Sequence, residues 1–491
     1  MKKNAFVKKI AAVFIAAALL LTAAACSSAG GGLSADPGDY MSMPGSADEF
    51  RTVEERGFTS AADEPDSYFS LDANAAAYSI LRRAINERRQ LSPDQIRTEE
   101  LVNYFTYDYP APAAYEVMTL SGALMPTPWN SETHLMTIGL KTEAVEMSAA
   151  PNNLVLLVDI SGSMASSDRL GLLKEAFVLL TRQMTASDRL TLVTYASGVK
   201  VLADGANGSQ RAALDDALDS LAAGGSTAGA RGIQTAYEYA AKHFIAGGNN
   251  RVILATDGDF NVGISSQDGL KAFISGKRDT GIYLSVLGVG YGNLKDNKME
   301  TLAASGNGNY YYLDSVSEAK KVLVEEAGGT LRTVAKDAKA MVSFIPDAVK
   351  EYRLIGYDNK RLGQEEWDDE AADAGELGAG KTVTAVYEVR LHGGVTSGGV
   401  ADVSIRYKDP GTDAPAEKSL SLTAADISKP TGDRKFISAV VEAALIFRNS
   451  EYKADASLDN AIARLEAIPN LSEDAYKAEF LELLRIYKGY N

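Results

Sequence analysis

The most constraining feature of the chain is a regular alternation of strands and amphipathic helices between residues 153 and 328. Asn153–Asp159 is a continuous apolar run, as expected for a strand that helices cover on both faces. Similar strands are predicted at Arg189–Tyr195, Arg251–Ala255 and Ile282–Gly288. The predicted helices are Leu170–Met184, Ala212–Leu221, Gly232–Phe244, Gln267–Gly276 and one that begins at the capping box Ser315-x-x-Glu318. This alternation predicts a doubly wound, mostly parallel α/β sheet.

Segments with strand-like patterns lie on both sides of the α/β region. Residues 114–142 alternate apolar and polar side chains, and residues 330–425 contain candidate strands separated by Gly-rich turns. We predict that the two segments form one discontinuous β-sandwich, with the α/β domain inserted in it. Helices are predicted outside the sandwich, over residues 72–105 and 432–489. The predicted fold class is therefore α/β, a Rossmann-like domain inserted in a β-sandwich, with helical segments towards both ends.

Composition and periodicity together divide the chain into consecutive segments. They are a signal peptide (1–25), a flexible tether (26–63), a helical segment (64–112), the first part of the sandwich (113–150), the α/β domain (151–329), the second part of the sandwich (330–428) and a C-terminal helical region (429–491). The tether is predicted because residues 27–63 are rich in Ser, Gly, Ala, Asp and Pro and cannot bury a core of their own.

The N-terminal segment has the composition of an export signal. Four lysines precede Ile10–Leu21, an apolar run too short for a membrane-spanning helix. Small residues then lead to Cys26, the single Cys of the chain, which resembles a bacterial lipoprotein signal with Cys26 lipidated. Ala23 stands where a larger aliphatic residue is usual, and Ala23-x-Ala25 also suits an ordinary signal peptidase, which would release a soluble protein. The expected location is the cell membrane, lipid-anchored and exposed outside the cytoplasm.

Charge and residue counts exclude several classes of function. Asp and Glu outnumber Lys and Arg by 65 to 49, a net charge of −16, and removal of residues 1–25 takes away four lysines and no acid, leaving −20. Such an acidic chain is not expected to bind nucleic acid. One Cys and three His exclude an internal disulfide framework and leave little for Cys- or His-built metal clusters. Gly288–Gly292 lacks the spacing of a dinucleotide fingerprint, so no nucleotide is expected.

Oxygen-bearing side chains are concentrated in three loops of the α/β domain. Asp159, Ser161 and Ser163 end the first strand in a D-x-S-x-S pattern, a Gly-rich loop offers Thr227, and Asp257 follows the strand 252–255. Ligands of an open α/β sheet bind beyond the carboxyl ends of its strands. Carboxylate and hydroxyl oxygens suit a hard divalent cation, Mg²⁺ first and Mn²⁺ or Ca²⁺ as alternatives. The alternative interpretation is that these side chains only cap helices and satisfy loop backbone.

Two further aspartates lie close to these motifs in the sequence. Asp168 and Asp259 are candidates for a second shell or for an adjacent cation. A hydrolase with Ser161 or a metal-bound water as nucleophile is an alternative to a binding site. The sequence offers no G-x-S-x-G motif, and its His residues lie in three different segments, so an enzyme is not predicted.

The three loops resemble the metal-ion-dependent adhesion site of the von Willebrand factor A-domain family. The D-x-S-x-S run matches the first motif of that family, Thr227 matches the second and Asp257 the third. The resemblance implies that the hydroxyls contact the metal directly, that the aspartates often act through water, and that one open position takes a partner's carboxylate. Ser166 and Ser167 stand where some members carry an adjacent carboxylate pair, so that second site is not expected.

The resemblance extends over nearly the whole chain, from about residue 68 onwards. The chain is similar to one subgroup of bacterial von Willebrand factor A-domain proteins that have N- and C-terminal extensions and are mostly envelope lipoproteins. The matching stretches are Arg97–Pro110, Gly247–Gly263, Leu287–Asn297 and Tyr352–Tyr357. The expected function is a cell-envelope lipoprotein that binds a protein partner's acidic residue through the metal, in adhesion or envelope assembly. A structural protein with a fold-stabilising cation is a further alternative.

Overall fold

The computed structural model describes residues 47–71, 74–145, 150–225, 230–258, 267–327 and 332–490. Its strands are β1 (Thr59–Ser60), β2 (Asp66–Ser70), β3 (Met118–Pro126), β4 (His134–Thr142), β5 (Asn152–Asp159), β6 (Arg189–Tyr195), β7 (Val199–Ala206), β8 (Asn249–Thr256), β9 (Tyr283–Val289), β10 (Tyr310–Leu313), β11 (Thr333–Phe344), β12 (Val349–Ile355), β13 (Gly375–Gly378), β14 (Thr382–Leu391), β15 (Gly399–Lys408) and β16 (Pro415–Thr423). Its α-helices are α1 (Ala76–Asn86), α2 (Thr98–Asn103), α3 (Leu172–Thr181), α4 (Arg211–Asp219), α5 (Ala230–Lys242), α6 (Gln267–Arg278), α7 (Asp296–Ser305), α8 (Val316–Lys320), α9 (Gln364–Asp368), α10 (Gly432–Phe447), α11 (Leu458–Glu466) and α12 (Ala475–Tyr490).

The α/β domain is built on a sheet in the order β10-β9-β8-β5-β6-β7. Strands β5, β6, β8, β9 and β10 are parallel, and β7 is an antiparallel edge strand. One face packs on α3, α4 and α8 and the other on α5, α6 and α7, so apolar cores lie on both sides of the sheet. The doubly wound α/β fold that the strand–helix alternation predicted is therefore confirmed.

The strand order reverses direction between β5 and β8. The chain runs from β5 to β6 on one side, whereas β8, β9 and β10 follow on the other side of β5. Val158 is paired with Ala255, so β5 and β8 end next to each other at the carboxyl edge of the sheet. Such a switch point leaves a crevice between the loops that follow the two strands.

Two antiparallel sheets flank this domain and share one core. The first has the order β1-β12-β14-β4-β3, and in the second β13-β11-β15-β16 is extended by β2 on β11. Leu124 and Met136 of the first sheet belong to the same apolar cluster as Val342 and Val403 of the second. Since β4 ends before the α/β domain and β11 begins after it, that domain is inserted in a β-sandwich, as predicted.

Five helices towards the two ends of the chain pack together, and we call them the helical layer. Helices α1 and α2 share an apolar core with α10, α11 and α12, and this core also contains Leu135 of β4 and Trp129 of the loop before it. Tyr78 and Tyr104 stack within it at 3.8 Å between ring centroids. Within the described ranges, no helix combines the length and the apolarity needed to cross a bilayer.

Several strands of the structure are not in the prediction, and they share a physical reason. The strands concerned are β1, β2, β7, β13 and β16. Each is short, lies at a sheet edge or has a largely polar exposed face, so it lacks the apolar run of a central strand.

Part of the predicted tether is also paired with the α/β domain. Ala47 N donates to Gly292 O at 2.8 Å, and Glu49 N donates to Leu294 O at 2.7 Å. Composition alone does not register such backbone pairing.

Buried arginines join the helical layer to the α/β domain. Arg82 of α1 bonds Asp314 at 2.5 Å, and Arg97 bonds Asp296 at 2.6 Å. Each of these charges is almost fully buried, so each depends on its partner to offset the loss of hydration. The inserted domain is therefore held by ion pairs as well as by its two chain connections.

We expect Glu376→Gln to stabilise the protein increasingly as the pH rises. Glu376 of β13 is 8% exposed, and burial raises its pKa well above the usual 4.5, with the Asp337 carboxylate adding to the effect. A carboxyl whose pKa is raised in the folded state lowers the unfolding free energy of the protein as the pH rises from the unfolded pKa towards the folded pKa. The difference in unfolding free energy between variant and wild type should be near zero at pH 4 and positive at pH 8, measured by urea denaturation. Glu370→Gln, at an exposed site nearby, is the control, and an equal pH trend in both variants would contradict the explanation.

Candidate functional site

Asp159 ends β5 and is completely buried at the carboxyl edge of the sheet. Its Oδ1 accepts a hydrogen bond from the backbone N of Ser161 at 2.8 Å. Its Oδ2 accepts from the Tyr195 hydroxyl and from Oγ1 of Thr256, both at 3.3 Å. Tyr195 ends β6 and Thr256 ends β8, so the strands on both sides of β5 orient this carboxylate.

The electrostatic environment of Asp159 favours a positive charge nearby. Burial raises the pKa of Asp159, the charge of Asp257 raises it further, and hydrogen bonds from Ser161 work in the opposite direction. Two buried carboxylates at one edge of the sheet repel each other, and a nearby positive charge relieves that repulsion.

The serines of the first motif lie side by side. Oγ of Ser161 is 3.0 Å from Oγ of Ser163, at the start of a 3₁₀ turn that begins with Gly162. The Gly-rich loop is bonded to this motif, since Gly224 N donates to Ile160 O at 2.7 Å and Gly162 N donates to Gly225 O at 3.1 Å. Backbone hydrogen bonds therefore hold two of the three predicted loops together.

Two predicted site residues lie outside the described residues. They are Thr227, in the Gly-rich loop, and Asp259, after β8. The same applies to Cys26, the predicted lipidation site. Of the five predicted metal ligands, the structure brings Asp159, Ser161, Ser163 and Asp257 to one edge of the sheet.

Asp257 follows β8 and is paired with an arginine that the sequence did not point to. Asp257 is 1% exposed, and Nη1 of Arg169 lies 2.9 Å from its Oδ2. Arg169 also donates to the carbonyls of Ser163 at 2.5 Å and Tyr291 at 2.7 Å. No local sequence motif predicts this pair, because Arg169 and Asp257 lie on different loops far apart in the chain.

Asp168, predicted as a second-shell candidate, binds the helical layer. Its Oδ2 accepts from Nη2 of Arg83 in α1 at 2.6 Å. Although partial burial opposes the shift, this hydrogen bond holds the pKa of Asp168 below its usual value. Asp168 therefore fixes the turn before α3 against α1.

The donor atoms present fit a hard cation. Two buried aspartates and two hydroxyls, all oxygen donors, converge where β5 and β8 end. Among the described residues, no group of three or more Asp, Glu, His or Cys side chains is placed to hold a metal. A cation here would therefore rely on hydroxyl oxygens as well as on Asp159 and Asp257, which is the chemistry implied by the D-x-S-x-S motif.

Family comparisons assign the inserted α/β domain to a class. The model described as von Willebrand factor type A domain matches residues 153–325, the inserted α/β domain. A model described as von Willebrand factor matches residues 44–137, and one described as the C-terminal part of the uncharacterized protein YfbK matches residues 329–489. The protein is thus a von Willebrand factor A-domain protein with matched segments on both sides of that domain.

Individual relatives make the assignment more specific. YfbK of Escherichia coli strain K12 is 34% identical over 479 residues, covering 92% of this chain and 82% of that protein. The protein sll0103 of Synechocystis sp. is 30% identical over 173 residues, covering 34% of this chain and 39% of that protein. The solved von Willebrand factor type A structure from Catenulispora acidiphila has a TM-score of 0.46 at 16% identity, covering 78% of this chain and 91% of that one. The identity to YfbK, and the share of that protein that is covered, show that the chain belongs to the YfbK family.

We expect Gly258→Ala to be strongly destabilising. Gly258 follows Asp257 with φ +123°, and a Cβ built there would lie 2.2 Å from the carbonyl oxygen of Asn293. Gly247→Ala is the matched control, because Gly247 also has a positive φ of +72° but nothing within 4 Å of a Cβ. The unfolding free energy of Gly258→Ala, measured by urea denaturation, should fall about 1–3 kcal/mol more than that of the control, because the backbone at Asn293 must move to admit the Cβ. Equal losses would show that close packing is not what requires glycine.

Proposed function

We propose that the protein binds a protein partner through a divalent cation held at the end of β5 and β8. The observation that carries the proposal is the convergence of Asp159 and Asp257, both buried, with the adjacent hydroxyls of Ser161 and Ser163. Burial of two carboxylates in one place is costly unless positive charge offsets it. Arg169 offsets one of these two charges, and a cation at this edge of the sheet would offset the other.

The donor chemistry supports Mg²⁺ as the cation, with Mn²⁺ or Ca²⁺ as alternatives. All four described donors are oxygens, and neither imidazole nor thiolate is among them. Thr227, the fifth donor of the proposed metal-ion-dependent adhesion site, belongs to the loop that is bonded to the first motif through Gly224 and Gly225.

The proposed ligand for an open metal position is a carboxylate from the partner. The chain carries −16 overall, so its long-range field repels an acidic partner, although salt screens this beyond about 8–10 Å. A bound cation would reverse the sign of the potential locally. Recognition would then depend on short-range contact at the metal rather than on electrostatic steering.

Binding rather than catalysis is the proposed role. The hydroxyl of Ser161 lies beside the hydroxyl of Ser163, and the carboxylate that it bonds is Asp159, itself a proposed metal ligand. Of the histidines, His243 contacts Asp204 in another part of the domain. The arrangement therefore favours metal coordination over nucleophilic attack.

We propose further that the protein is a lipoprotein anchored through Cys26 in the cell envelope. The support is the lysine-rich, apolar signal that ends at the only Cys of the chain. Adhesion or assembly of envelope complexes is the corresponding biological role.

Asp159→Asn and Ser161→Ala are expected to reduce affinity for Mg²⁺ or Mn²⁺ at least about tenfold, since each loses one oxygen donor or charge. Isothermal titration calorimetry on the mature chain measures this. Asp204→Asn, at an exposed aspartate of the same domain, should bind the cation like wild type. Circular dichroism of each variant checks that the fold is kept.

The same variants test the partner. Cross-linked partners recovered from native envelopes with wild type should be lost on chelation and lost with Asp159→Asn. Equal cation affinity in Asp159→Asn and wild type, or partners that persist in chelator, would refute the metal mechanism.

Cys26→Ser is expected to abolish incorporation of an alkyne-tagged fatty acid and to move the protein from the membrane to the soluble fraction, because the thiol is the acyl acceptor. Ser28→Ala is the control and should remain labelled. Wild-type protein that is unlabelled and soluble would instead favour cleavage by an ordinary signal peptidase.

A further inference from the structure

Several contacts hold the Arg169 guanidinium against the candidate metal site. It lies 2.9 Å from Oδ2 of Asp257 and donates to the carbonyls of Ser163 and Tyr291. Gly290 makes room for it, because a Cβ built there would lie 2.2 Å from Nε of Arg169 and the backbone has φ +72°. The side chain is 16% exposed, so this is a packed position rather than a solvated one.

The turn that carries Arg169 is also fixed from the other side. Ser167–Gly171 form a π-helical turn before α3, and Asp168 within it bonds Arg83 of α1 at 2.6 Å. The helical layer therefore holds the turn, and the turn holds Arg169 beside Asp257. Neighbouring residues of one turn face two different parts of the molecule.

The position of Arg169 changes the charge of the site. Asp159 and Asp257 carry two negative charges, which by themselves would balance a divalent cation. The guanidinium adds one positive charge at contact distance, so the site with a divalent cation bound would keep a net positive charge. Because both aspartates are buried, this excess charge is only weakly screened by solvent and salt.

We propose that the positive charge of Arg169 makes the site select an anionic partner group. This charge lowers the affinity of the site for the cation, by repulsion, and raises the affinity of the loaded site for the partner's carboxylate, by attraction. This inference rests on the proposed function, since it requires a cation at the site, and it adds that one residue acts in opposite directions on the two binding steps. The partner class that follows is a protein segment presenting an ionised carboxylate, not an amide or a hydroxyl.

The opposite effects of Arg169 on cation affinity and on carboxylate affinity can be tested together. Arg169→Gln is expected to bind Mn²⁺ about tenfold more tightly than wild type, and to bind a carboxylate probe about tenfold more weakly. The probe is a blocked peptide with one Asp between glycines, titrated calorimetrically into the Mn²⁺-loaded mature chain, with the Asn peptide as its neutral counterpart. Arg182→Gln makes the same charge change just after the other end of α3 and should alter neither affinity.

Arg169→Lys separates charge from shape. Lys keeps the positive charge but lacks the planar fork that reaches two carbonyls and a carboxylate. An electrostatic role predicts that Lys restores both affinities to within about threefold of wild type. A role limited to holding the loops together predicts that Lys behaves like Gln, which would overturn the inference. Thermal unfolding with and without Mn²⁺ checks that each variant is folded.

The remaining outcomes distinguish this inference from the proposed function. If Arg169→Gln weakens both cation and peptide, or changes neither, while wild type binds both, the inference fails and the proposed function stands. If wild type binds no cation, or binds the Asp peptide equally well after chelation, the proposed function fails and the inference fails with it.

Discussion

The register between β5 and β8 is the constraint on which the rest of the candidate site depends. Because Val158 is paired with Ala255, the residues that follow, Asp159 and Asp257, emerge at the same edge of the sheet. The helices after these strands, α3 and α6, pack on opposite faces, so the crevice between the loops stays open. Two carboxylates in such a place repel each other, and the ion pair between Asp257 and Arg169 reduces that repulsion.

Buried ion pairs determine how the inserted domain sits on its frame. Arg82 of α1 contacts Asp314 and Glu318 of the α/β domain and Glu479 of α12, so one guanidinium joins three parts of the chain. Removing one partner of such a set leaves a charge buried without compensation, which costs more than the intact set contributes. These contacts also make the helices from both ends of the chain part of the support of the α/β domain.

The sequence was informative where burial dominates and uninformative where long-range pairing dominates. The apolar run of β5 and the D-x-S-x-S pattern after it are local signals that predict three of the four described donors, and the apolar run of β8 predicts Asp257 in the same way. The polar edge strand β16 and the pairing of Ala47 depend on neighbours distant in sequence, which periodicity does not report. The Arg169–Asp257 pair escaped prediction for the same reason, and so did the bond between Arg83 and Asp168, a second-shell candidate in the sequence.

The hydrogen bonds between the segment at Ala47 and the loop after β9 have a mechanical consequence. Ala47 is bonded to Gly292, the residue next to Tyr291, whose carbonyl in turn holds Arg169. A force applied along the chain from its N-terminal side would therefore reach this loop before it reached the sandwich or the helical layer. Tension on the chain would therefore act on the contacts that hold Arg169 beside Asp257.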